Sequence, residues 1–340
     1  MRHYRLALLG FGNVGKAFLK LLLYKQEELL RRYRLTFSIT GIATRRHGTA
    51  IDPRGLDLSR ALVASDLTSI SRLPIPRDTF EFIRRSGANV LFENTPVNYE
   101  TGQPAIDHLI EGLEAGMDII TANKGPVVHA FHQISKLAET KGRKFYFEST
   151  VMDGAPIFSL FREALPGSNL LSFRGILNST TNMILTRMEH GESFEDAVAY
   201  CQKIGIAETD PSGDIDGWDA VIKVAALATV LMDIPLKPSE VARKGIRSIG
   251  PDQISQAKSE GKRWKLVCAA RKTDSGVDAR VSPELVEPDS PMYGVEGTTS
   301  LVQFETDVLG LLSIIEVDPG PQTTAYGLLS DFLNAVTRKT

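Results

Sequence analysis

Residues 5–15 read Arg-Leu-Ala-Leu-Leu-Gly-Phe-Gly-Asn-Val-Gly, an apolar run that ends in three closely spaced glycines. Apolar residues recur at helical spacing from Lys16 to Arg32, and a second apolar run follows at Leu35–Thr44. This order of strand, glycine-rich turn, helix and strand is typical of a dinucleotide-binding fold, with the pyrophosphate at the helix N-terminus. A glycine-rich turn without a ligand is the alternative. The pattern predicts cofactor contacts from Gly10, Phe11, Gly12, Asn13, Val14 and Gly15.

The end of the second predicted strand carries Arg45 and Arg46 and no acidic residue. An acidic residue at this place binds the ribose of NAD, whereas arginine accommodates the 2′-phosphate of NADP. Guanidinium groups pair bidentately with phosphate. The sequence therefore favours NADP, with NAD as the second choice. A solvated basic turn is the competing interpretation.

Two further apolar runs, Asn89–Phe92 and Asp118–Thr121, read as buried strands with helices after them. In parallel α/β sheets the ligand lies beyond the carboxyl ends of the strands. We therefore expect cofactor contacts from the residues that follow these strands, which are Asn94, Thr95, Pro96 and Lys124. For Lys124, a solvated loop position is an equally good interpretation. Residues 1–150 are predicted to form a Rossmann-type, doubly wound parallel sheet.

The alternation of strands and helices weakens after Val151. Residues 151–319 are predicted to form an α+β domain for substrate binding and dimerisation, with a mainly antiparallel sheet. The helical pattern within 320–340 is expected to pack back on the first domain. Segments 175–182 and 207–223 are rich in polar residues, and we expect them to line a cleft.

The acidic stretch that begins at Gly205 is predicted to be a loop that leads into an apolar helix. It carries Glu208 and Asp214, and Asp219 and Lys223 share one face of the helix. A calcium loop is excluded, because Lys223 occupies the position at which such a loop needs a glutamate. A structural salt bridge or a solvated acidic turn would explain part of the pattern.

Hydride transfer is the reaction class that a dinucleotide site favours. Such a reaction needs a proton donor or acceptor, and a lysine serves if burial or a second cation lowers its pKa. Lys124 and Lys223 could approach each other from the two domains. Glu208 and Asp214 would bind a substrate ammonium group. An amino acid that carries an alcohol or an aldehyde is the small-molecule substrate that fits.

Composition excludes several classes of protein. The formal net charge of −2 argues against a nucleic-acid partner. The longest apolar runs are too short to span a membrane, and the N-terminus does not resemble a signal peptide. Two cysteines are too few for a disulfide framework, so a cytoplasmic setting is expected.

The chain resembles homoserine dehydrogenases over nearly its whole length. The resemblance rests on segments 10–15, 94–98, 121–126, 175–182 and 207–219 and on Lys223. It implies NAD(P)-dependent interconversion of L-homoserine and L-aspartate 4-semialdehyde, in the biosynthesis of threonine, methionine and isoleucine. It also implies a homodimer through the second domain's sheet. Because the chain ends at Thr340, a short form without a C-terminal regulatory domain is expected.

The resemblance also assigns roles to single residues. Lys223 matches the acid/base lysine, with Asp219 as its partner and Lys124 at the nicotinamide end. The residues matched to substrate binding are Glu208, Asp214, Gly175, Asn178 and Thr180. A monovalent cation, sodium by preference, would be bound by Glu148, Val151, Asp153 and Ala155.

The sequence departs from the family's pattern at two places, and other functions compete. Asp153 adds a carboxylate to the cation site, and segment 318–325 replaces a glycine-rich family segment near the cofactor. Another semialdehyde or hydroxy-acid reductase is the competing enzyme class. An acylating dehydrogenase is disfavoured, because neither cysteine has a recognisable base beside it. An NADP-binding regulator without turnover is the non-enzymatic alternative.

Overall fold

The computed structural model describes residues 1–337 and divides into two compact units. Met1–Pro156 and the chain from Pro321 onward form the first unit, and Ile157–Gly320 form the second. Within residues 1–337, no helix combines the length and the apolar character that a membrane span requires.

The first unit is built on a six-stranded sheet with the order β3-β2-β1-β4-β5-β6. Its strands are β1 (Arg2–Leu9), β2 (Leu35–Ala43), β3 (Thr49–Ile51), β4 (Val90–Glu93), β5 (Asp118–Thr121) and β6 (Phe145–Tyr146). All neighbouring pairs are parallel except β2 and β3. The predicted Rossmann-type sheet is confirmed, and the turn at 44–48 adds β3 as an antiparallel neighbour of β2.

Helices cover this sheet, and they differ from the sequence prediction at Lys25. They are α1 (Asn13–Tyr24), α2 (Gln26–Tyr33), α3 (Leu58–Val63), α4 (Thr79–Ser86), α5 (Ala105–Glu114), α6 (Lys124–His129), α7 (Phe131–Thr140) and α13 (Pro321–Thr337). The single helix predicted from Lys16 is two helices that meet at Lys25. The fully buried residues Phe18, Leu19 and Leu22 of α1 pack into the core together with Phe332 of α13.

The second unit contains a six-stranded sheet with the order β12-β11-β7-β9-β10-β8. Its strands are β7 (Leu170–Ile176), β8 (Ala242–Arg243), β9 (Arg263–Thr273), β10 (Gly276–Val286), β11 (Ser300–Thr306) and β12 (Gly310–Glu316). Only the short contact between β10 and β8 is parallel, so the predicted mainly antiparallel sheet is confirmed.

The helices of the second unit are α8 (Ser179–Glu189), α9 (Phe194–Lys203), α10 (Ser212–Ile215), α11 (Trp218–Leu231) and α12 (Pro251–Ser259). The acidic stretch was expected to be a loop as far as Gly217, but Ser212–Ile215 forms one helical turn. Helix α11 is apolar and almost entirely buried, because Ala, Val and Leu fill most of its positions.

Candidate active site

The glycine turn after β1 has a geometry that only glycine tolerates at its first position. Gly10 has a φ of +89°, and a Cβ at this residue would lie 2.3 Å from the carbonyl oxygen of Asn94. A Cβ on Gly12 would meet no atom within 4 Å. The turn therefore packs tightly on its inner side and is open at the N-terminus of α1, where a pyrophosphate would approach.

Asn94 follows β4 beside this turn. Both polar atoms of its side-chain amide are buried, and neither has a hydrogen-bond partner within residues 1–337. A buried amide without a partner costs about 1–3 kcal/mol, so it points to a ligand that completes its hydrogen bonds. The open face of Gly12 and this amide both fit a bound dinucleotide.

Arg45 and Arg46 lie in the turn between β2 and β3. Both residues are exposed. The backbone amide of Gly10 donates to the carbonyl of Ala43 at 2.9 Å, which fixes the start of this turn beside the glycine turn. The two arginines therefore directly follow β2, the strand that neighbours β1. The adenosine end of a dinucleotide is expected at the end of this strand.

Glu93, the last residue of β4, was not predicted from the sequence. Its side chain is fully buried, and its carboxylate accepts hydrogen bonds from the backbone amide and the hydroxyl of Thr95 and from the hydroxyl of Thr121. The imidazole of His108 lies 4.0 Å away. The side chain of Glu93 thus connects the segment after β4 to the end of β5. A carboxylate that ends an apolar strand is the signal that could have revealed it.

Lys124 is the first residue of α6, after β5. Asn123 caps this helix by accepting from the backbone amide of Gly125, and its side-chain amide donates to the carbonyl of Thr95 at 3.0 Å. Asn123 thereby connects the segment that carries Lys124 to the segment that carries Asn94. The structure places the predicted cofactor residues at the carboxyl ends of four parallel strands, β2, β1, β4 and β5.

In the second unit, Asp219 and Lys223 form an ion pair on α11. The Nζ atom of Lys223 lies 3.1 Å from Oδ2 of Asp219 and donates to the carbonyl of Leu177 at 2.6 Å. The two side chains are only 13% and 15% exposed. Because each buried charge needs a partner where water has little access, burial holds the two side chains in a fixed arrangement.

Asn178 connects this pair to Asp214. Its side-chain nitrogen donates to Oδ1 of Asp214 at 2.7 Å and to Oδ2 of Asp219 at 3.0 Å. Burial and then the charge of Asp219 raise the pKa of Asp214, whereas hydrogen bonds from Asn178 and Thr180 oppose this rise. The four residues Asp214, Asn178, Asp219 and Lys223 form a continuous polar chain, which we call the carboxylate chain.

Three other residues were predicted to bind the substrate, and of these Thr180 contacts the carboxylate chain through Asp214. Glu208 is exposed, and its backbone carbonyl accepts from Gln202. The hydroxyl of Thr180 donates to the carbonyl of Ile206 at 3.1 Å. A Cβ at Gly175 would lie 2.2 Å from the carbonyl of Leu301, so close contact between β7 and β11 explains this glycine.

The predicted cation ligands lie around the turn after β6. Glu148 is buried, and its backbone amide donates to Asp331 at 2.7 Å. The carboxylate of Asp153 accepts from the hydroxyl of Thr324, and its carbonyl oxygen would lie 2.6 Å from a Cβ at Gly327. Within residues 1–337, no three His, Cys, Asp or Glu side chains cluster as metal ligands would. The side chain of Asp153 is therefore engaged with α13, and the cation site, to which Asp153 and Ala155 would contribute carbonyl oxygens, stays a prediction.

Comparison with known proteins gives the same family over both units. A model described as "Homoserine dehydrogenase" matches residues 156–333, and one described as "Homoserine dehydrogenase, NAD binding domain" matches residues 10–148. The NAD(+)-dependent homoserine dehydrogenase of Pseudomonas canavaninivorans is 34% identical, over 100% of this chain and 99% of that protein.

Two further matches agree. The homoserine dehydrogenase of Methanocaldococcus jannaschii is 37% identical, over 96% of this chain and 97% of that protein. A solved structure of a hyperthermophilic archaeal homoserine dehydrogenase in complex with NADPH has a TM-score of 0.81 at 28% identity, and it covers 98% of each chain. The chain, with its NAD-binding domain in the first half, therefore belongs to the homoserine dehydrogenase family.

Proposed function

We propose that this protein interconverts L-homoserine and L-aspartate 4-semialdehyde, with a nicotinamide dinucleotide as hydride acceptor or donor. The observation that carries the proposal is the buried pair of Lys223 and Asp219 at the end of the carboxylate chain. Family membership supports the substrate. The first unit would hold the cofactor, which supplies the hydride chemistry, and the second unit would hold the amino acid.

Lys223 is proposed to move the proton that accompanies hydride transfer. In homoserine oxidation its Nζ atom, in the neutral amine form, would accept the proton of the 4-hydroxyl group, and in the reverse reaction its ammonium form would donate a proton to the alkoxide oxygen. Asp219 orients the ammonium group from 3.1 Å, and the carbonyl of Leu177 fixes it from a second side. Asp214 and Glu208 are proposed to bind the substrate ammonium group, and Lys124 to act at the nicotinamide end.

An assay of NADP-dependent oxidation of L-homoserine at alkaline pH tests this function. We expect activity in the wild type and a loss of roughly 100-fold to 10,000-fold in kcat for Lys223→Ala, which is typical of a removed acid/base group. Lys203→Ala, an exposed lysine of α9, is the matched control. An undiminished rate in Lys223→Ala would refute the proton-transfer role.

The alternatives predict other results in the same assay. A reductase for a different semialdehyde or hydroxy acid would turn over that substrate and leave homoserine unchanged. A regulator would bind NADP tightly without turnover. The acylating dehydrogenase has little support, because burial raises the pKa of Cys201 to about 11 and that of Cys268 to about 12, which disfavours the thiolate.

The cofactor is proposed to be NADP in preference to NAD. Two exposed arginines at the end of β2 support this preference. The relatives differ in this respect, since one is named NAD(+)-dependent and another was solved with NADPH. Titration of the protein with both cofactors decides the question. We expect Arg45→Ala to weaken NADP binding about tenfold and leave NAD unchanged, and equal dissociation constants for the two cofactors would end the proposal.

The remaining expectations rest on the resemblance. A homodimer, a cytoplasmic location and a role in amino-acid biosynthesis are proposed on that basis. Bound sodium is proposed on the same basis, with carbonyl oxygens of Asp153 and Ala155 among its ligands. Equal melting temperatures in sodium chloride and choline chloride at one ionic strength would remove it. No step of the proposed reaction depends on a cation.

A further inference from the structure

Asn178 was predicted to contact the substrate, but the structure gives its side chain other partners. Its nitrogen donates to Asp214 at 2.7 Å and to Asp219 at 3.0 Å. Its Oδ1 accepts from the backbone amide of Thr181 at 2.8 Å, which caps helix α8. An asparagine side chain has two N–H donors, and both are engaged by the carboxylates. No donor of this amide is left for a substrate.

The orientation of the Asn178 amide follows from its partners. A backbone N–H can only donate, so the atom facing Thr181 is the oxygen, and ionised carboxylates can only accept, so the other atom is the nitrogen. Capping alone does not explain an asparagine, because Ser, Thr and Asp cap helices comparably. Among these residue types, only asparagine caps a helix through its oxygen and presents two N–H groups on the same side chain.

We propose that Asn178 is a positioning residue that holds Asp214 beside the Asp219–Lys223 pair. The positioning of Asp214 rests on the hydrogen bonds alone. Its consequence for catalysis rests on the proposed function. Lys223, Asp219, Asn178 and Asp214 are linked in that order, so one neutral amide separates two carboxylates that would otherwise repel each other. A substrate ammonium group would then meet an oriented Asp214.

The charged and titratable groups around Asp214 determine how its pKa would change if the side-chain amide of Asn178 were removed. Asp219 and Lys223 face it from α11, and the thiol of Cys201 faces it from α9. That thiol stays neutral, since burial raises its pKa to about 11. The hydrogen bond from Asn178 favours the ionised form of Asp214. Without that bond the pKa of Asp214 rises further, and ammonium binding fails at a higher pH.

Two substitutions separate positioning from capping. Asn178→Ser keeps a cap and removes both N–H donors, and Asn178→Asp keeps the cap and the size but adds a third carboxylate. For both variants we expect kcat/KM for L-homoserine to fall roughly tenfold to a hundredfold at neutral pH. The acid limb of the kcat/KM profile should move to higher pH, and the dissociation constant of NADP should stay unchanged. Ser193→Ala, which removes the cap of α9, is the control.

A stability measurement tests the same proposal without turnover. The amide stabilises ionised carboxylates, so its removal should lower the melting temperature little at acidic pH and increasingly as the pH rises through the raised pKa of Asp214. Ser193 bonds to Asp196 and not to the carboxylate chain, so the decrease for Ser193→Ala should not change over that pH interval. If the wild type does not oxidise homoserine, the proposed function fails and this measurement still decides the role of Asn178. The proposal would be wrong if both variants lost melting temperature by an amount that does not depend on pH and the acid limb of the kcat/KM profile did not move. Asn178 would then act only as a helix cap.

Discussion

Gly10 and Gly12 are two residues apart and carry opposite constraints. Gly10 is required by the fold, because of its positive φ and the 2.3 Å approach of a Cβ to the Asn94 carbonyl. Gly12 has a φ of −80° and open space around a Cβ. The dinucleotide motif therefore combines one glycine that shapes the turn with one that leaves room for the ligand.

This difference predicts unlike results for two alanine substitutions. Gly12→Ala should change the melting temperature by only a few degrees, as expected for a weaker N-cap, and should weaken NADP binding at least about tenfold by occupying ligand space. Gly10→Ala should lower the free energy of unfolding by about 2 kcal/mol or more, because an alanine at positive φ is strained and its Cβ clashes. Calorimetry and NADP titration of both variants check the contrast. A stable Gly10→Ala protein would contradict the packing argument.

Lys265 is a fully buried lysine of β9 that the proposed reaction does not use. Its Nζ atom donates to the carbonyl of Val295 at 2.5 Å and to Oδ1 of Asn182 at 3.2 Å. Burial, and then the charge of Arg263, lowers the pKa of Lys265 from 10.5 to about 8. The hydrogen bonds of this lysine hold the segment around Val295 to β9. Burying its charged form costs solvation free energy.

The lowered pKa of Lys265 makes a prediction about stability and pH. Below pH 8 the folded protein pays to keep this lysine charged, and between pH 8 and 10.5 the unfolded chain binds more protons than the folded one. Wild-type stability should therefore rise over that interval relative to Lys265→Met, by up to about 3 kcal/mol. Urea unfolding of both proteins from pH 7 to 10.5 measures the difference. Parallel stability curves would show that burial does not lower the pKa of Lys265.

At the scale of elements, helix α13 follows the second unit in sequence and packs in the core of the first unit. Ala325, Leu328 and Phe332 are fully buried, and the ring of Phe332 meets those of Tyr4 at 5.7 Å and Phe92 at 6.1 Å. The first unit therefore contains residues from both sides of the second unit in the sequence.

We expect Phe332→Ala to lower the free energy of unfolding by about 3–5 kcal/mol, because it leaves a cavity among aromatic rings. Tyr326→Ala, at a position of the same helix that is 56% exposed, should change it by less than about 1 kcal/mol. Chemical unfolding followed by fluorescence and by NADP release measures both. Equal effects of the two substitutions would contradict the packing of this helix face.

At the scale of the whole molecule, the sheet of the second unit ends in the strand β12. Leu311 and Ile315 lie in this strand, and Val317 directly follows it; their exposed fractions are 66%, 56% and 66%. An apolar edge strand of this kind is a liability in a monomer. The resemblance implies a homodimer through this sheet, and these three residues give the proposed contact a location.

The homodimer proposal predicts that Ile315→Lys shifts the protein from dimer to monomer. A buried lysine at the interface would lack a partner and weaken association. Val63→Lys, at an apolar position of α3 that is 82% exposed, should leave the oligomeric state unchanged. Light scattering after size-exclusion chromatography measures the mass of each variant. A wild type that is already monomeric would remove the proposal.

Local patterns allowed much of this molecule to be predicted. The glycine turn, the apolar strands and the Asp219–Lys223 spacing depend on residues close in sequence, and each produced a usable prediction. Glu93 and the true partners of Asn178 were missed. Glu93 acts through Thr121, 28 residues away, and Asn178 acts through Asp219, 41 residues away. No local periodicity reports such pairs.

The sequence by itself determined the Rossmann-type first half, the antiparallel second half and the family, because short motifs and apolar periods encode them. The tertiary structure alone decided how single polar side chains are used. It gave the donors of Asn178 to two carboxylates, placed the Asp153 carboxylate against Thr324 of α13 and buried Glu93 beside Thr95 and Thr121. Hydrogen-bond partners depend on which distant segments meet, and only the folded chain brings those segments together.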